Sequence, residues 1–299
     1  MSTADRAAPH GVIHDIGFRH YTGQRLGRRW ARRSLLIETL RGAYGLGRPA
    51  KSRIMAWLLL GLYVAPALIV VTVAITTKAD HLALSYTNYS VALSLLTTLF
   101  VAGRAPYAVS RDLRDGVIPL YLSRPLSRLD YVAAKFIGLW LAVTLFLAAP
   151  ITVLLIGSLL AKMRIGDAVT GWLGGMLMVA ILAAVLTGIG LALASFTKRR
   201  GLGVAAIVTS LVMAMGISPL VTSVVNTQVS VEAGTYGALI DPYRLVDGLA
   251  AGWLGVDPSD AMMAPVNGAG TTVFTLAMLA VVGACLAVLT ARFKKVGRV

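Results

Sequence analysis

Long apolar stretches are the feature that most limits what this chain can fold into. Six of them are long enough to cross the hydrocarbon core of a bilayer, which is about 30 Å thick and takes roughly 20 helical residues. Within them the apolar residues form nearly continuous runs, whereas a half-buried helix or strand would alternate apolar and polar residues with a regular period. The pattern predicts an all-α integral membrane protein with about six transmembrane helices, at residues 54–77, 87–108, 136–160, 171–196, 201–224 and 271–291.

Charged residues are too few for a water-soluble protein of this size. They make up 14% of the 299 residues, whereas a soluble domain is about one quarter charged. The net charge of +15 could suggest a nucleic-acid partner. However, the basic residues lie in short runs beside the apolar stretches, which is how membrane proteins record their orientation. We therefore expect the lipid bilayer as a partner, and no nucleic acid.

The distribution of lysine and arginine predicts the orientation. If the N-terminus is cytosolic, 24 of the 28 basic residues fall on the cytosolic side of the six stretches. An excess of this kind marks the cytosolic face, so both termini are predicted to be cytosolic in a multi-pass protein of the cell membrane. The predicted regions are a basic N-terminal segment (1–53), a transmembrane domain (54–291) that includes an outer connection (225–270), and a basic cytosolic tail (292–299).

The acidic residues are informative because all 13 lie outside the six stretches. Ion-coupled carriers usually place carboxylates at membrane depth. The sequence therefore predicts that the energy for any transport comes from outside this chain. Arg104, near the cytosolic end of the second stretch, is expected to extend its long stem toward the lipid headgroups.

Residues 28–46 precede the first stretch and are rich in arginine. On a helical wheel the apolar side chains fall on one face, while Ser34, Glu38 and Arg41 lie toward a polar side. This pattern is typical of an interfacial, elbow-type helix on the inner leaflet. An ordinary cytosolic helix packed on a partner is the alternative. The residues of the predicted interfacial face are Trp30, Leu36, Ile37, Leu40 and Tyr44.

Two glycine patterns near the first stretch loosely resemble nucleotide-binding motifs. Gly45, Gly47 and Ala50 fit G-x-G-x-x-A, and Gly45 precedes Lys51 and Ser52 as in a degenerate P-loop. Either motif needs a strand before it and a helix opening after it. A basic interfacial segment precedes them here, so we predict no cofactor in this chain. We likewise expect no catalytic residue and no metal site, because the histidines of the N-terminal segment have no cysteine near them.

Gly171 and Gly175 form a G-x-x-x-G pattern at the start of the fourth stretch. Small residues at this spacing let helices approach closely within a bilayer. We expect packing within the chain at this position rather than an interface between subunits.

The segment between the second and third stretches, residues 110–135, is dense in alternating charge. A helix starting near Ser110 is expected to end before Pro125, because the residue before a proline disfavours helical geometry. Ser127 could then cap a second helix that runs into the third stretch. Asp112 and Gly116, four residues apart, would share one face of the first helix. An ordinary solvated loop is the alternative.

This segment resembles the cytosolic loop of ABC-2 type transporter permeases, the membrane subunits of many bacterial ABC exporters. Two positions depart from the usual pattern: an aspartate replaces the usual glutamate, and Val117 replaces the usual threonine. The basic interfacial helix, the six stretches and the long outer connection also agree with that family. The matching loop positions are Asp112, Gly116, Ser123, Pro125, Ser127, Arg128 and Lys135.

The resemblance implies a permease that pairs with a second permease subunit, in a homodimer or a heterodimer, and with two ATP-binding cassette subunits that hold ATP and Mg²⁺. The loop would be a coupling helix that contacts these ATPases. The apolar stretches suit export of a lipophilic or amphipathic substrate. A stand-alone secondary carrier or a membrane scaffold without an ATPase is the alternative. The loop residues implied at the ATPase interface are Arg111, Asp112, Arg114, Asp115, Gly116, Ser123, Pro125, Ser127 and Arg128.

Overall fold

The computed structural model of the chain describes residues 23, 26–47, 50–78, 81–118, 121, 126–265 and 267–296. Helices make up 84% of the structure, and the described residues contain no strand. The prediction of an all-α protein is therefore confirmed.

The helices follow one another with short connections. In chain order the α-helices of the described residues are α1 (Arg28–Ala43), α2 (Ala50–Thr77), α3 (Asn88–Ala92), α4 (Ser94–Arg114), α5 (Arg128–Leu160), α6 (Ile165–Phe196), α7 (Arg200–Gln228), α8 (Val231–Gly234), α9 (Pro242–Leu254) and α10 (Gly268–Val296). Two 3₁₀ turns, Thr235–Ile240 and Ala261–Met263, lie on either side of α9.

Five helices of the described residues are long and apolar enough to cross a membrane: α2, α5, α6, α7 and α10. They coincide with five of the six predicted stretches. The remaining stretch, 87–108, forms α3 and α4, which are separated at Leu93. Helix α4 does not meet the same apolar standard, because Arg104 lies in its middle and further arginines lie near its end. The span count of six stays a prediction.

Helix α4 lies inside the bundle, with 13 of its 21 residues buried. Phe100 of α4 stacks on Phe146 of α5 at 4.1 Å between ring centroids, and Tyr63 of α2 stacks on the same ring at 4.7 Å. These rings fill the space between three helices, and such burial dominates the energetics of a core. Because its neighbours are protein, α4 can carry polar side chains that a lipid-facing helix could not.

Helix α4 makes side-chain hydrogen bonds near both of its ends. Thr98, near the start of α4, hydrogen bonds Tyr243 of α9 at 2.9 Å between their hydroxyl oxygens. Near the other end of α4, the Ser110 hydroxyl donates to the carbonyl of Ala194 in α6 at 2.9 Å. Helix α4 therefore runs from one end of the bundle to the other, as a membrane span would.

Glycines allow close packing within the chain. The side chain of Tyr86 lies against Gly171 and Gly175, where an added Cβ would come within 3.1 and 2.8 Å of it. On the same helix, a Cβ at Gly188 would approach Cys285 of α10 to 3.2 Å. The prediction that the G-x-x-x-G pattern packs within the chain is confirmed.

The connection between α7 and α10 is largely helical. Asp241 caps the start of α9 and its carboxylate accepts the Tyr243 N–H at 3.0 Å, while Gly255 follows the last helical residue with a φ of +64°. That left-handed geometry favours glycine as a helix terminator. Tyr243 and Leu249 are buried, and α9 packs against α6 and α10. The connection thus covers one end of the bundle instead of forming a separate domain.

Candidate coupling site

The end of α4 differs from the predicted loop helix. Helix α4 continues through Ser110 to Arg114, so no new helix starts there. Gly116 lies beyond the helix end with a φ of +63°, and the Val117 N–H donates to the carbonyl of Asp112 at 3.3 Å. This is the usual way in which glycine terminates a helix. The prediction that Asp112 and Gly116 share a helix face is wrong, because the helix ends between them.

Asp112 is buried, not exposed. Its side chain accepts hydrogen bonds from Nζ of Lys135 at 2.9 Å and from the hydroxyl of Tyr131 at 2.7 Å. The relative exposures of Asp112 and Lys135 are 9% and 5%. The alternative of a solvated loop is therefore wrong for Asp112. A buried carboxylate needs a cation and hydrogen-bond donors, and both come from α5. Its assignment to an ATPase interface stays a prediction.

Three other charged residues at the end of α4 do face the surface. Arg111, Arg114 and Asp115 keep 54%, 60% and 37% of their side-chain surface exposed. Nε of Arg114 lies 2.9 Å from the Asp115 carboxylate, and Nε of Arg111 lies 3.5 Å from it. The hydrogen bond from Arg114 is the main cause that lowers the pKa of Asp115. These three side chains form an accessible charged surface, and their contact with an ATPase stays a prediction.

The chain after Gly116 turns back onto α5. The Tyr121 N–H donates to the carbonyl of Val117 at 3.2 Å. Ile118 is buried, and the ring of Tyr121 lies 5.9 Å from that of Tyr131. Apolar contacts therefore hold this turn against α5. Ser123 and Pro125, two of the predicted interface residues, lie outside the described residues.

Ser127 caps α5, as predicted. Its hydroxyl accepts the Asp130 N–H, and the Asp130 carboxylate accepts the Ser127 N–H at 3.0 Å, which together form a capping box. Arg28 of α1 reaches the same carboxylate at 2.6 Å, and Arg32 reaches it at 3.4 Å. The hydrogen bond to Asp130 raises the pKa of Arg28. Arg128, another predicted interface residue, is half-buried at the first position of α5.

Helix α1 packs along α5 through small and polar side chains. Its buried residues are Leu35, Thr39, Gly42 and Ala43. Gly138 of α5 permits this approach, because an added Cβ would come within 2.8 Å of the Leu36 carbonyl oxygen. The short distance shows that α1 and α5 pack closely at this position.

The predicted interfacial face of α1 divides into two parts. Trp30 and Ile37 are exposed, whereas Leu36, Leu40 and Tyr44 are half-buried. The Tyr44 hydroxyl donates to the carbonyl of Ala142 at 2.8 Å. Contact with a leaflet stays a prediction for the exposed part.

A polar cavity of about 170 Å³ lies where α1, α4 and α5 meet. Arg104 lines it and is 6% exposed, with its guanidinium 5.8 Å from the centre of the Phe100 ring. The prediction that Arg104 extends to the headgroups is therefore wrong, because the cavity offers it a polar environment inside the protein. The other charged residues that line the cavity are Glu38, Arg111, Asp112, Asp115 and Lys135.

The model of one protein family, ABC-2 family transporter protein, matches residues 93–298. The match extends over more than half of the chain and includes every residue of the site from α4 and α5. The chain belongs to the ABC-2 transporter family. A search of curated proteins found no match.

Membership of the ABC-2 family confirms the resemblance of the loop and identifies this chain as a membrane transport component. Members associate with the membrane and with an ATP-binding subunit. The match begins at Leu93, just before α4, so α1 and α2 precede it. In this ABC-2 chain the charged groups of the site pair with one another and link α1, α4 and α5, an arrangement that suits transmission of movement.

Three site residues of this ABC-2 chain were not anticipated from the sequence: Arg28, Asp130 and Tyr131. The role of Asp130 could have been predicted from the sequence, because it follows Ser127 at the spacing of a capping box. The roles of Arg28 and Tyr131 could not, since their partners are 102 and 19 residues distant in the chain. Only the fold brings them to the site.

Proposed function

We propose that this chain is the membrane-spanning permease subunit of an ATP-driven exporter of the cell membrane, with ATP hydrolysis on separate subunits. Family membership supports the permease role. The observation that carries the proposal is the attachment of the 115–127 segment. It leaves α4 beside the Asp112–Lys135 pair and enters α5 at the Ser127–Asp130 capping box.

Such an attachment can transmit force. A push on the segment reaches α4 and α5 through the buried pair, and reaches α1 through Arg28 and Arg32 on Asp130. Buried charge pairs resist separation, because a parted charge would be left in a medium of low dielectric constant. ATP-driven closure of the ATPases would then move several helices together and change the exposure of the pathway from one side of the membrane to the other.

The surface that meets the ATPase, in this proposal, is formed by the exposed side chains of Arg111, Arg114 and Asp115. Gly116, Ser123, Pro125, Ser127 and Arg128 complete the predicted contact region. Asp112 has a different part in this proposal, because its carboxylate is already bound by Lys135 and Tyr131. Asp112 instead holds the end of α4 on α5 so that the exposed residues keep their positions.

The proposed topology has six spans, with α4 as the second and both termini in the cytosol. Contacts of α4 at both ends of the bundle support this count. The burial of α4 explains why it can cross the membrane without being strongly apolar. The excess of basic residues on one side supports the orientation.

The proposed assembly contains two permease chains and two ATP-binding cassette subunits, which hold ATP and Mg²⁺. The predominantly apolar exposed surface of the long helices suits a lipophilic or amphipathic cargo. A stand-alone carrier is disfavoured by the positions of the carboxylates, which all lie outside the six predicted stretches.

Crosslinking from the loop tests the proposal. In a Cys285→Ser background, Arg114→Cys should form a crosslink to a polypeptide of the native membrane that also photolabels with azido-ATP. Arg164→Cys is the control, because position 164 is exposed in the turn between α5 and α6 at the opposite end of the bundle. Two outcomes would contradict the proposed contact of the loop with a separate ATP-binding subunit. One is a crosslinked polypeptide that azido-ATP does not label, and the other is equal crosslinking from both positions.

A further inference from the structure

An open groove of about 540 Å³ runs along the side of α1 that faces away from α5. Arg33, Ile37 and Arg41 line it at a spacing of four residues, which places them in one row on the helix. The isoleucine therefore lies between two arginines of that row. Trp30 lies beside this row, about one turn before Arg33, and Leu46 lines the groove beyond the end of the helix.

The apolar side chains of the groove are unusually exposed. Trp30 keeps 55% of its surface accessible and Ile37 keeps 39%, although the opposite side of the same helix is packed on α5. Tryptophan is enriched where a protein meets the headgroup layer of a membrane, because its ring is apolar and its N–H is polar. The outward face of α1 thus has the composition of a surface in contact with lipid.

The arginines of α1 are of two kinds. Among the described residues, Arg28 and Arg32 pair with the carboxylate of Asp130. Arg33 and Arg41 are exposed, and both line the groove. Glu38 also lines the groove, but it offsets only one of the two positive charges there. A ligand with a negative charge and an apolar part would complement this groove.

We propose that this groove binds the headgroup of an anionic phospholipid of the inner leaflet. Arg33 and Arg41 are eight residues apart, which is about 12 Å along the helix axis, so their long side chains can close on one phosphate from both sides. The planar guanidinium forms paired hydrogen bonds with phosphate oxygens. Ile37 and Trp30 would contact the glycerol and the upper acyl chains. The inference needs α1 at the inner leaflet, but it does not depend on ATP coupling.

Native mass spectrometry of the full chain in a neutral detergent tests the proposal. The protein is titrated with phosphatidylglycerol or with phosphatidylcholine. The Arg33→Gln/Arg41→Gln variant should bind phosphatidylglycerol about 30-fold more weakly, given the usual contribution of two basic residues at an anionic membrane surface. Its binding of phosphatidylcholine should be unchanged. The matched control is Lys198→Gln/Arg199→Gln, which removes the same charge from the exposed turn between α6 and α7.

A third variant, Glu38→Gln, removes the acid from the groove and should strengthen phosphatidylglycerol binding. Equal losses in the groove variant and in the control would overturn the proposal, because they would indicate a general charge effect. Displacement of the lipid by an equal concentration of free glycerol phosphate would also overturn it, since the groove would then be a simple anion site. None of these measurements involves an ATPase, so their outcome is independent of the proposed transport function.

Discussion

Nζ of Lys135 lies 2.9 Å from Oδ2 of Asp112, and both side chains are buried where α5 meets the end of α4. The Tyr131 hydroxyl donates to the same oxygen, and the Lys135 ammonium lies 5.6 Å from the centre of the Tyr131 ring. Two helices are therefore joined by opposite charges that water does not screen well. Each charge makes the burial of the other tolerable, so the two residues should behave as one unit when they are mutated.

Removal of one member of the pair should destabilise the protein strongly. Asp112→Asn leaves the Lys135 charge buried without its counterion, which typically costs about 3–5 kcal/mol of unfolding free energy. The double variant Asp112→Asn/Lys135→Met removes both charges and should recover most of that loss. Thermal unfolding of the purified protein in detergent measures both effects.

Arg114→Gln is the control for this cycle, because Arg114 is exposed and its ion pair with Asp115 lies at the surface. A surface pair is worth about 0–1 kcal/mol, so this variant should unfold almost like the unmodified protein. If Asp112→Asn is as mild as Arg114→Gln, the buried pair does not hold α4 on α5.

Sequence patterns predicted the helical class and the positions of five apolar helices, because a bilayer sets both the length and the composition of a span. The same patterns identified α4 as a span less clearly than the other five helices. Arg104 makes α4 resemble a surface helix, and only tertiary packing shows that this arginine lines an internal cavity. High hydropathy is expected of a helix that faces lipid, whereas 13 of the 21 residues of α4 are buried within the protein.

The site was predicted in part. The cap at Ser127 could be read from local sequence, since its partner is three residues away. The burial of Asp112 could not, because alternating charge near a helix end is also the pattern of a solvated loop. Its partner Lys135 lies 23 positions further along and becomes a neighbour only when α4 and α5 pack together. The end of α4 just before Gly116 was not predicted, because glycine can lie either within a helix or at its end.

Labelling of single cysteines should establish whether α4 crosses the membrane. In a Cys285→Ser background, Lys78→Cys precedes α3 and α4, and Arg114→Cys replaces the last residue of α4. With six spans and a cytosolic N-terminus, position 78 should react with an impermeant maleimide in intact cells. Position 114 should react only after permeabilisation. Labelling of both positions in intact cells would show that α4 does not cross, and would reduce the span count to five.

A methyl group at Gly138 should separate α1 from α5. An ideal Cβ there would come within 2.8 Å of the Leu36 carbonyl oxygen and of Cβ of Thr39. Overpacking of this kind costs about 1–3 kcal/mol, so Gly138→Ala should lower the unfolding temperature. Gly61→Ala is the matched control, because Gly61 is in the interior of α2 and has no atom within 4 Å of its added Cβ. That variant should be neutral or slightly stabilising, since alanine favours a helix more than glycine does. Equal effects of the two substitutions would argue against the tight contact between α1 and α5.

Asp241 should make stability depend on pH in the outer connection. Its side chain is buried at the start of α9, and burial raises its pKa to about 6, although the Tyr243 N–H and Arg244 oppose the shift. A carboxyl whose pKa is higher in the folded state than in the unfolded state favours folding while it is protonated. That contribution is complete below the ordinary pKa near 4 and is lost as the pH rises through about 6. At pH 7.5 the ionised Asp241 should therefore cost roughly 3 kcal/mol, at about 1.4 kcal/mol for each unit of pKa.

Asp241→Asn keeps an N-cap side chain and removes the titration. Its unfolding temperature should exceed that of the unmodified protein at pH 7.5, and the difference should shrink steadily as the pH falls to 5. The difference between the unfolding temperatures of the two proteins at each pH cancels the titration of all other groups. Asp257→Asn provides the control for the loss of one carboxylate, because Asp257 is exposed in the same connection, and this variant should unfold like the unmodified protein. A constant difference for Asp241→Asn would mean that Asp241 is already ionised at pH 5, and that Arg244, whose Nε lies 3.6 Å from Oδ2, compensates for its burial.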